Sequence, residues 1–273
     1  MFRVIASARI WIAGLLAAAA MFGAAVTAGP ASASTPKPTI VLVHGSFTDA
    51  SSWSRVIPGL QKRGYPVIAE ANPLRGIATD TAYLKSLLAQ IKGPIVLVGH
   101  SYGGIVITNA ATGNPNVKAL VYVAAFAPAQ GETGNQLIAH APGSLLSPDA
   151  LDVRLYPTPD GQLAPEVTAK PSALRPIFAA DLPVAATKIA AASQRPAALS
   201  TLSDPSGPPA WTTIPSWALI AGADKAIGAA NERYMAKRIH ATTVVAKGAS
   251  HLVMLSQPDK VEKLIADAAA GRR

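Results

Sequence analysis

The sequence predicts an α/β fold: a mostly parallel sheet of about six strands, helices on both faces, and an inserted helical lid. Three observations carry this. Short β-branched apolar runs alternate with segments of helical spacing. The runs are apolar throughout instead of alternating with polar residues, as strands covered on both faces are. Residues 129–215 break the alternation and hold 13 of the chain's 23 prolines.

The elements follow in order. "TIVLVHG" (39–45) predicts a buried strand. "SSWSRVIPGLQKRGY" (51–65) has helical spacing at Trp53, Val56, Ile57 and Leu60, with Pro58 expected to kink it and Gly64 to stop it. "PVIAEAN" (66–72) predicts a second strand. "DTAYLKSLLAQIKG" (80–93) predicts an amphipathic helix with Tyr83, Leu84, Leu87, Leu88 and Ile91 on one side. "PIVLVGH" (94–100) and "VKALVYVAAFAP" (117–128) predict strands, with a helix over "YGGIVITNAATG" (102–113) between them. Residues 129–215 are too long for a plain loop and are expected to form a helical lid over the sheet. The alternation then resumes: strands over "SWALIAGAD" (216–224) and "TTVVAKGASH" (242–251), helices over 228–240 and 259–270.

Composition bounds the function. The 273 residues are half hydrophobic and 14% charged, which suits one domain, expected over 34–273. Residues 1–33 read differently. Arg3 and Arg9 precede an apolar stretch from Ile10 to Ala28, and "GPASAS" places Ala31 and Ala33 at signal-peptidase spacing. A signal peptide cleaved after Ala33 is expected, and hence a secreted, extracellular protein; an uncleaved membrane anchor is the alternative. No second apolar run is long enough to span a bilayer, so no stable anchor is expected after cleavage. There is no cysteine, so neither disulfides nor thiolate metal sites can contribute. The net charge is +9; residues 1–33 carry two arginines and no acid, leaving 9 − 2 = +7 for the rest. The basic residues are scattered, which argues against a nucleic-acid partner. Nothing suggests a cofactor or a metal, and oligomeric state is not encoded legibly.

"GHSYG" (99–103) matches the G-x-S-x-G pattern. In that pattern a serine sits on a strained strand-to-helix turn, its hydroxyl raised above the sheet. A strand is expected before it and a helix directly after it, which is the context the pattern needs. A serine hydroxyl is a poor nucleophile without a base, and the base needs an orienting acid. His251 and Asp224, each at an expected strand end and in the order Ser, Asp, His, supply them. Glu132 is the alternative acid, while Asp181 and Asp204 are expected to be solvated. The oxyanion donors would be the main-chain N–H groups of Tyr102 and Ser46, with Phe47 as the next choice. His44 and His100 are expected to be structural, and His140 and His240 have no metal-ligand neighbour. Phe47, Phe126, Leu137, Phe178 and Trp211 are candidate apolar pocket walls.

The chain resembles the α/β-hydrolase superfamily, in particular the small branch holding plant methyl-ester esterases and hydroxynitrile lyases. "VLVHGSFTDASSW", "VGHSYGG", "YVAAFAP", "ADKAI" and "SHLVMLSQPDKV" carry the resemblance, which spans about residues 39–267. It implies an α/β-hydrolase fold, a triad at Ser101, Asp224 and His251, and oxyanion donors at Ser46 and Tyr102. The lyases carry a lysine directly after the catalytic histidine; here Leu252 stands there, which argues for hydrolysis. The expected function is a serine hydrolase cleaving small-molecule carboxylic esters. Acyl transfer or perhydrolysis on the same triad, hydroxynitrile lysis and a non-catalytic binding protein are the alternatives.

Overall fold

A computed structural model describes residues 36–273. The expected signal peptide, 1–33, lies outside the described residues. The chain forms β1 (Thr39–Val43), α1 (Ile57–Lys62), β2 (Val67–Glu70), α2 (Ile77–Leu88), β3 (Ile95–Ser101), α3 (Gly103–Ala110) and β4 (Val117–Ala125). After the region of α4 (Gly134–Ala139), β5 (Leu151–Pro157), β6 (Leu163–Ala169), α5 (Pro171–Phe178), α6 (Val184–Ala192), β7 (Ala197–Ala198) and α7 (Ser200–Ser203) come the closing elements. These are β8 (Ser216–Ala221), α8 (Ala229–Arg238), β9 (Thr242–Ala246), α9 (Val253–Ser256) and α10 (Pro258–Ala269).

The six-stranded sheet has the order β2-β1-β3-β4-β8-β9 and is parallel throughout. Every residue of β3 is buried, as is every residue of β4 but Lys118, which is why these runs lack polar alternation. Helix α3 lies on β1, β3 and β4 and packs against α2; α10 lies on β3, β4 and β8 and packs against α1. The chain leaves β1 toward β2 on one side and leaves β3 toward β4 on the other. Connections that diverge from adjacent strands open a crevice at their carboxyl ends. That crevice holds the site.

Several boundaries differ from expectation for local reasons. The first helix is split into a 3₁₀ turn, Ala50–Trp53, and α1. Pro58 does not kink it; it stands in the first turn of α1, where a missing N–H costs nothing. Tyr83, placed on the inner side of α2, is 48% exposed, and the buried stripe is Ile77, Asp80, Leu84 and Leu88. The strands expected at 216–224 and 242–251 stop at Ala221 and Ala246, so Asp224 and His251 stand in the loops that follow.

Residues 129–215 are not purely helical. Besides four short helices they hold a second sheet, antiparallel, of order β5-β6-β7. The β5–β6 turn is "TPDGQ": the Thr158 N–H donates to the Gln162 carbonyl at 2.9 Å and the Gly161 N–H to the Thr158 carbonyl at 2.9 Å. Proline, aspartate and glycine in that order form a turn by φ preset, side-chain capping and positive φ respectively.

Candidate active site

Ser101 is the last residue of β3, with φ of 52° in the left-handed region that only glycine adopts freely. The flanking glycines are dictated by contact. A Cβ on Gly99 would lie 2.6 Å from the main chain of Gly103, and one on Gly103 would lie 2.4 Å from the Val43 carbonyl oxygen. The turn is thus wedged between β1 and α3, and the serine is displayed without being loose.

Asp224 follows β8. Its Oδ1 accepts from the N–H groups of Ala226 at 2.6 Å and Ile227 at 2.9 Å. Its Oδ2 lies 2.5 Å from His251 Nδ1. That bond puts the proton on Nδ1 and leaves Nε2 as the free base nitrogen. The His251 ring packs against Phe178 at 5.7 Å and against His100 at 4.6 Å, and the His100 Nε2–H donates to the His251 carbonyl at 3.0 Å. Burial alone would raise the Asp224 carboxyl, but the charge and hydrogen bond of His251 outweigh it and hold the group well below the usual carboxylate range.

One buried acid beside Asp224 carries no signal in the sequence. Glu232 of α8 accepts from the Ala221 N–H at 2.9 Å, and burial followed by the nearby Asp224 charge pushes its carboxyl well up. It is a neutral acid packed behind an ionised one. Nothing in "ANERYM" separates it from a surface glutamate. Glu132, the alternative acid, is engaged elsewhere: it pairs with Arg238 at 2.6 Å and accepts from the Ala129 N–H at 2.8 Å. Asp181 is exposed, as expected, and accepts the Ser250 hydroxyl hydrogen bond next to His251. His140 stacks on Tyr234 at 3.7 Å. His44 is fully buried with Nδ1 on the Gly45 carbonyl at 2.9 Å, and burial lowers it to about 4, which keeps it neutral and structural.

Among the described residues, the main-chain N–H groups of Ser46, Phe47 and Tyr102 have no protein acceptor. Ser46 and Ser101 line one small cavity together with Phe47, Phe126, Leu146, Phe178, Leu202, Ala226 and Ile227. A larger cavity of about 430 Å³ shares Ser46, Phe47, Leu146 and Leu202 with it, so the two adjoin. Its other walls, including Ile138, Leu151, Val153, Val167 and Leu199, all come from residues 129–215, and no charged side chain lines it. Phe47, Phe126 and Phe178, candidate walls by sequence, line the small cavity. Trp211 does not: its indole N–H donates to the Pro128 carbonyl at 2.8 Å, which holds the ring away from both cavities. Leu137 is buried in the core instead of lining the space.

A parallel sheet with a serine on a strained turn, at the carboxyl edge it shares with an Asp–His pair, defines the class of protein. The chain belongs to the alpha/beta hydrolase family, whose sequence profile matches residues 40–264. It is similar to a pyrethroid hydrolase of Sphingobium wenxiniae, with 29% identity over 246 residues, covering 84% of this chain and 86% of the relative. Among solved structures it resembles a pyrethroid hydrolase from Sphingobium faniae, with a TM-score of 0.68, 26% identity, and 85% and 97% of the two chains covered. Polyneuridine aldehyde esterase shares the fold, with a TM-score of 0.73, 21% identity, and 85% and 98% of the two chains covered.

Proposed function

We propose that this chain is a secreted serine hydrolase that cleaves neutral, apolar carboxylic esters through an acyl-enzyme. One observation carries the reading: the strained Ser101 opens into an uncharged cavity walled by Phe178, and Phe178 packs on the histidine that Asp224 holds by Nδ1. In this reading Ser101 Oγ attacks the ester carbonyl and His251 Nε2 takes its proton. Asp224 fixes the imidazole and stabilises its cation. The unclaimed N–H groups of Ser46 and Tyr102 bind the developing oxyanion. His251 returns the proton to the leaving alkoxide, then activates the water that releases the acid.

The absence of charge from the cavity walls favours a neutral substrate, since a buried unpaired carboxylate or ammonium would be costly there. The two similar proteins are named pyrethroid hydrolases, which supports a hydrolytic reaction here. Export rests on residues 1–33 and is checked by sequencing the N-terminus of protein from the medium, expected at Ser34.

The test is hydrolysis of p-nitrophenyl esters, acetate to palmitate, by protein beginning at Ser34. The Ser101→Ala variant is expected to lose at least about 10³-fold in kcat. A variant that kept most of its activity would end the serine mechanism.

A further inference from the structure

The hydroxyl of Tyr102, the residue directly after Ser101, is spent on a buried carboxylate. It donates to Asp80 Oδ2 at 2.7 Å, and both residues are fully buried. Burial first, then the Asp80 charge, pushes the Tyr102 hydroxyl well up, so the proton stays on the tyrosine. Asp80 also accepts from the Arg75 N–H, at 3.0 Å through Oδ1 and 3.2 Å through Oδ2. Thus one carboxylate grips both the turn that carries Ser101 and the segment leading into α2.

That segment is also the seat of the lid. The Leu74 carbonyl accepts from the Ala198 N–H of β7 at 2.9 Å, and Leu74 holds a left-handed φ of 59° to do so. The Arg75 guanidinium reaches Glu166 of β6 at 2.9 Å, whose other oxygen accepts from Arg154 of β5 at 2.8 Å. Arg75 also lies 4.4 Å over the Tyr156 ring. Ala198 and Val167, next to these contacts, line the larger cavity. The lid strands that shape the substrate space and the turn that would present an oxyanion donor therefore share one anchor, Leu74–Arg75, clamped by Asp80.

We propose that Asp80 is a positioning residue that holds the Tyr102 N–H in register with the substrate space of the lid. This rests on the reading of Tyr102 as an oxyanion donor in a serine hydrolase. If Asp80 acts this way, its link to Tyr102 serves the transition state, while its link to Arg75 and Glu166 serves substrate placement. The two should separate in kinetics.

The experiment compares Tyr102→Phe, Asp80→Asn, their double variant and Glu166→Gln by stopped-flow acylation with a p-nitrophenyl ester. Binding of an aryl trifluoromethyl ketone, whose serine adduct places an oxyanion in the hole, is measured alongside. Tyr102→Phe is expected to slow acylation about 5- to 50-fold at KM within twofold, and to weaken the ketone by the same factor. Asp80→Asn should act alike, and the double variant no worse than the poorer single, because both break one link. Glu166→Gln should raise KM several-fold and leave the acylation rate within twofold. If Asp80→Asn does not fold, Tyr102→Phe decides alone, since it keeps the shape of the ring. Acylation within twofold of wild type in Tyr102→Phe, whether or not Tm falls, overturns the proposal, as do independent, multiplying effects of the two substitutions. Wild-type protein without a Ser101-dependent burst instead overturns the serine-hydrolase reading beneath it.

Discussion

At the scale of single residues, the site works by denying atoms their freedom. Asp224 accepts the main-chain N–H groups of Ala226, Ile227 and Gly228 on one oxygen and His251 on the other, so its orientation is over-determined. Replacing it with Asn keeps the shape but can present an NH₂ to Nδ1, which turns the imidazole to the wrong tautomer. Asp224→Asn is expected to lower kcat by about 10³- to 10⁴-fold while Tm changes little. Activity within tenfold of wild type, with folding verified by circular dichroism, would remove Asp224 from the mechanism. The strained turn at Ser101 and the Asp224–His251 pair were legible because the G-x-S-x-G pattern and the order Ser, Asp, His set places for them on the sheet. Asp80 and Glu232 were not. Each is a lone acid in a helical stretch, and only the position of Asp80 on the Leu84–Leu88 stripe marks it as buried. Trp211 was misplaced because an aromatic near a pocket and an aromatic bound to a carbonyl look the same in sequence.

At the scale of elements, the β5–β6 hairpin supplies part of the wall of the larger cavity. Leu151, Val153 and Leu155 share one face of β5 by alternation, and the first two line the larger cavity. Val153 is 63% exposed, so it borders the mouth and carries little of the fold. Val153→Asp should therefore leave Tm within a degree or two. It should also raise KM for long-chain p-nitrophenyl esters several-fold, since the acyl chain must pass a charge that resists desolvation. Equal KM values for acetate and for octanoate, relative to wild type, would show that the acyl group takes another route. The hairpin itself was readable in "TPDGQ", a turn between two runs of alternating apolar residues. The density of prolines points to helices and loops, although proline is tolerated at strand ends and edges. Pro157 ends β5, and Pro165 lies in β6 opposite Leu155, just beyond the Glu166–Val167 pairing with β7.

At the scale of the whole molecule, a sheet buried on both sides must also bury the polar residues its strands carry. The same burial that made the strand pattern legible leaves charge-bearing groups where charge is costly. Their count and partners depend on tertiary packing and were not readable. Glu70 ends β2 and is 3% exposed; burial, and then the Asp80 charge, raises its carboxyl from 4.5 to about 7. The folded state therefore holds a proton there, between pH 4.5 and about 7, that the unfolded chain releases. Glu70 thus stabilises nothing by being ionised; its presence costs progressively more as pH rises through that window, up to about 3 kcal/mol. His44, lowered to about 4 by burial, has the opposite slope, because below 6.5 the unfolded chain takes up a proton that the fold refuses. The two oppose each other across most of the same window, so the wild-type profile conceals both. Glu70→Gln removes one of them. Relative to wild type, its unfolding free energy in urea should be constant below pH 4.5, rise by about 3 kcal/mol toward pH 7, and stay level at pH 8. The measurement is a set of paired urea melts at pH 4.5, 6, 7 and 8. A difference that does not change with pH would mean that Glu70 ionises in the fold as it does in the unfolded chain, and that its burial is relieved by a partner such as Arg195, whose charge already acts to lower it.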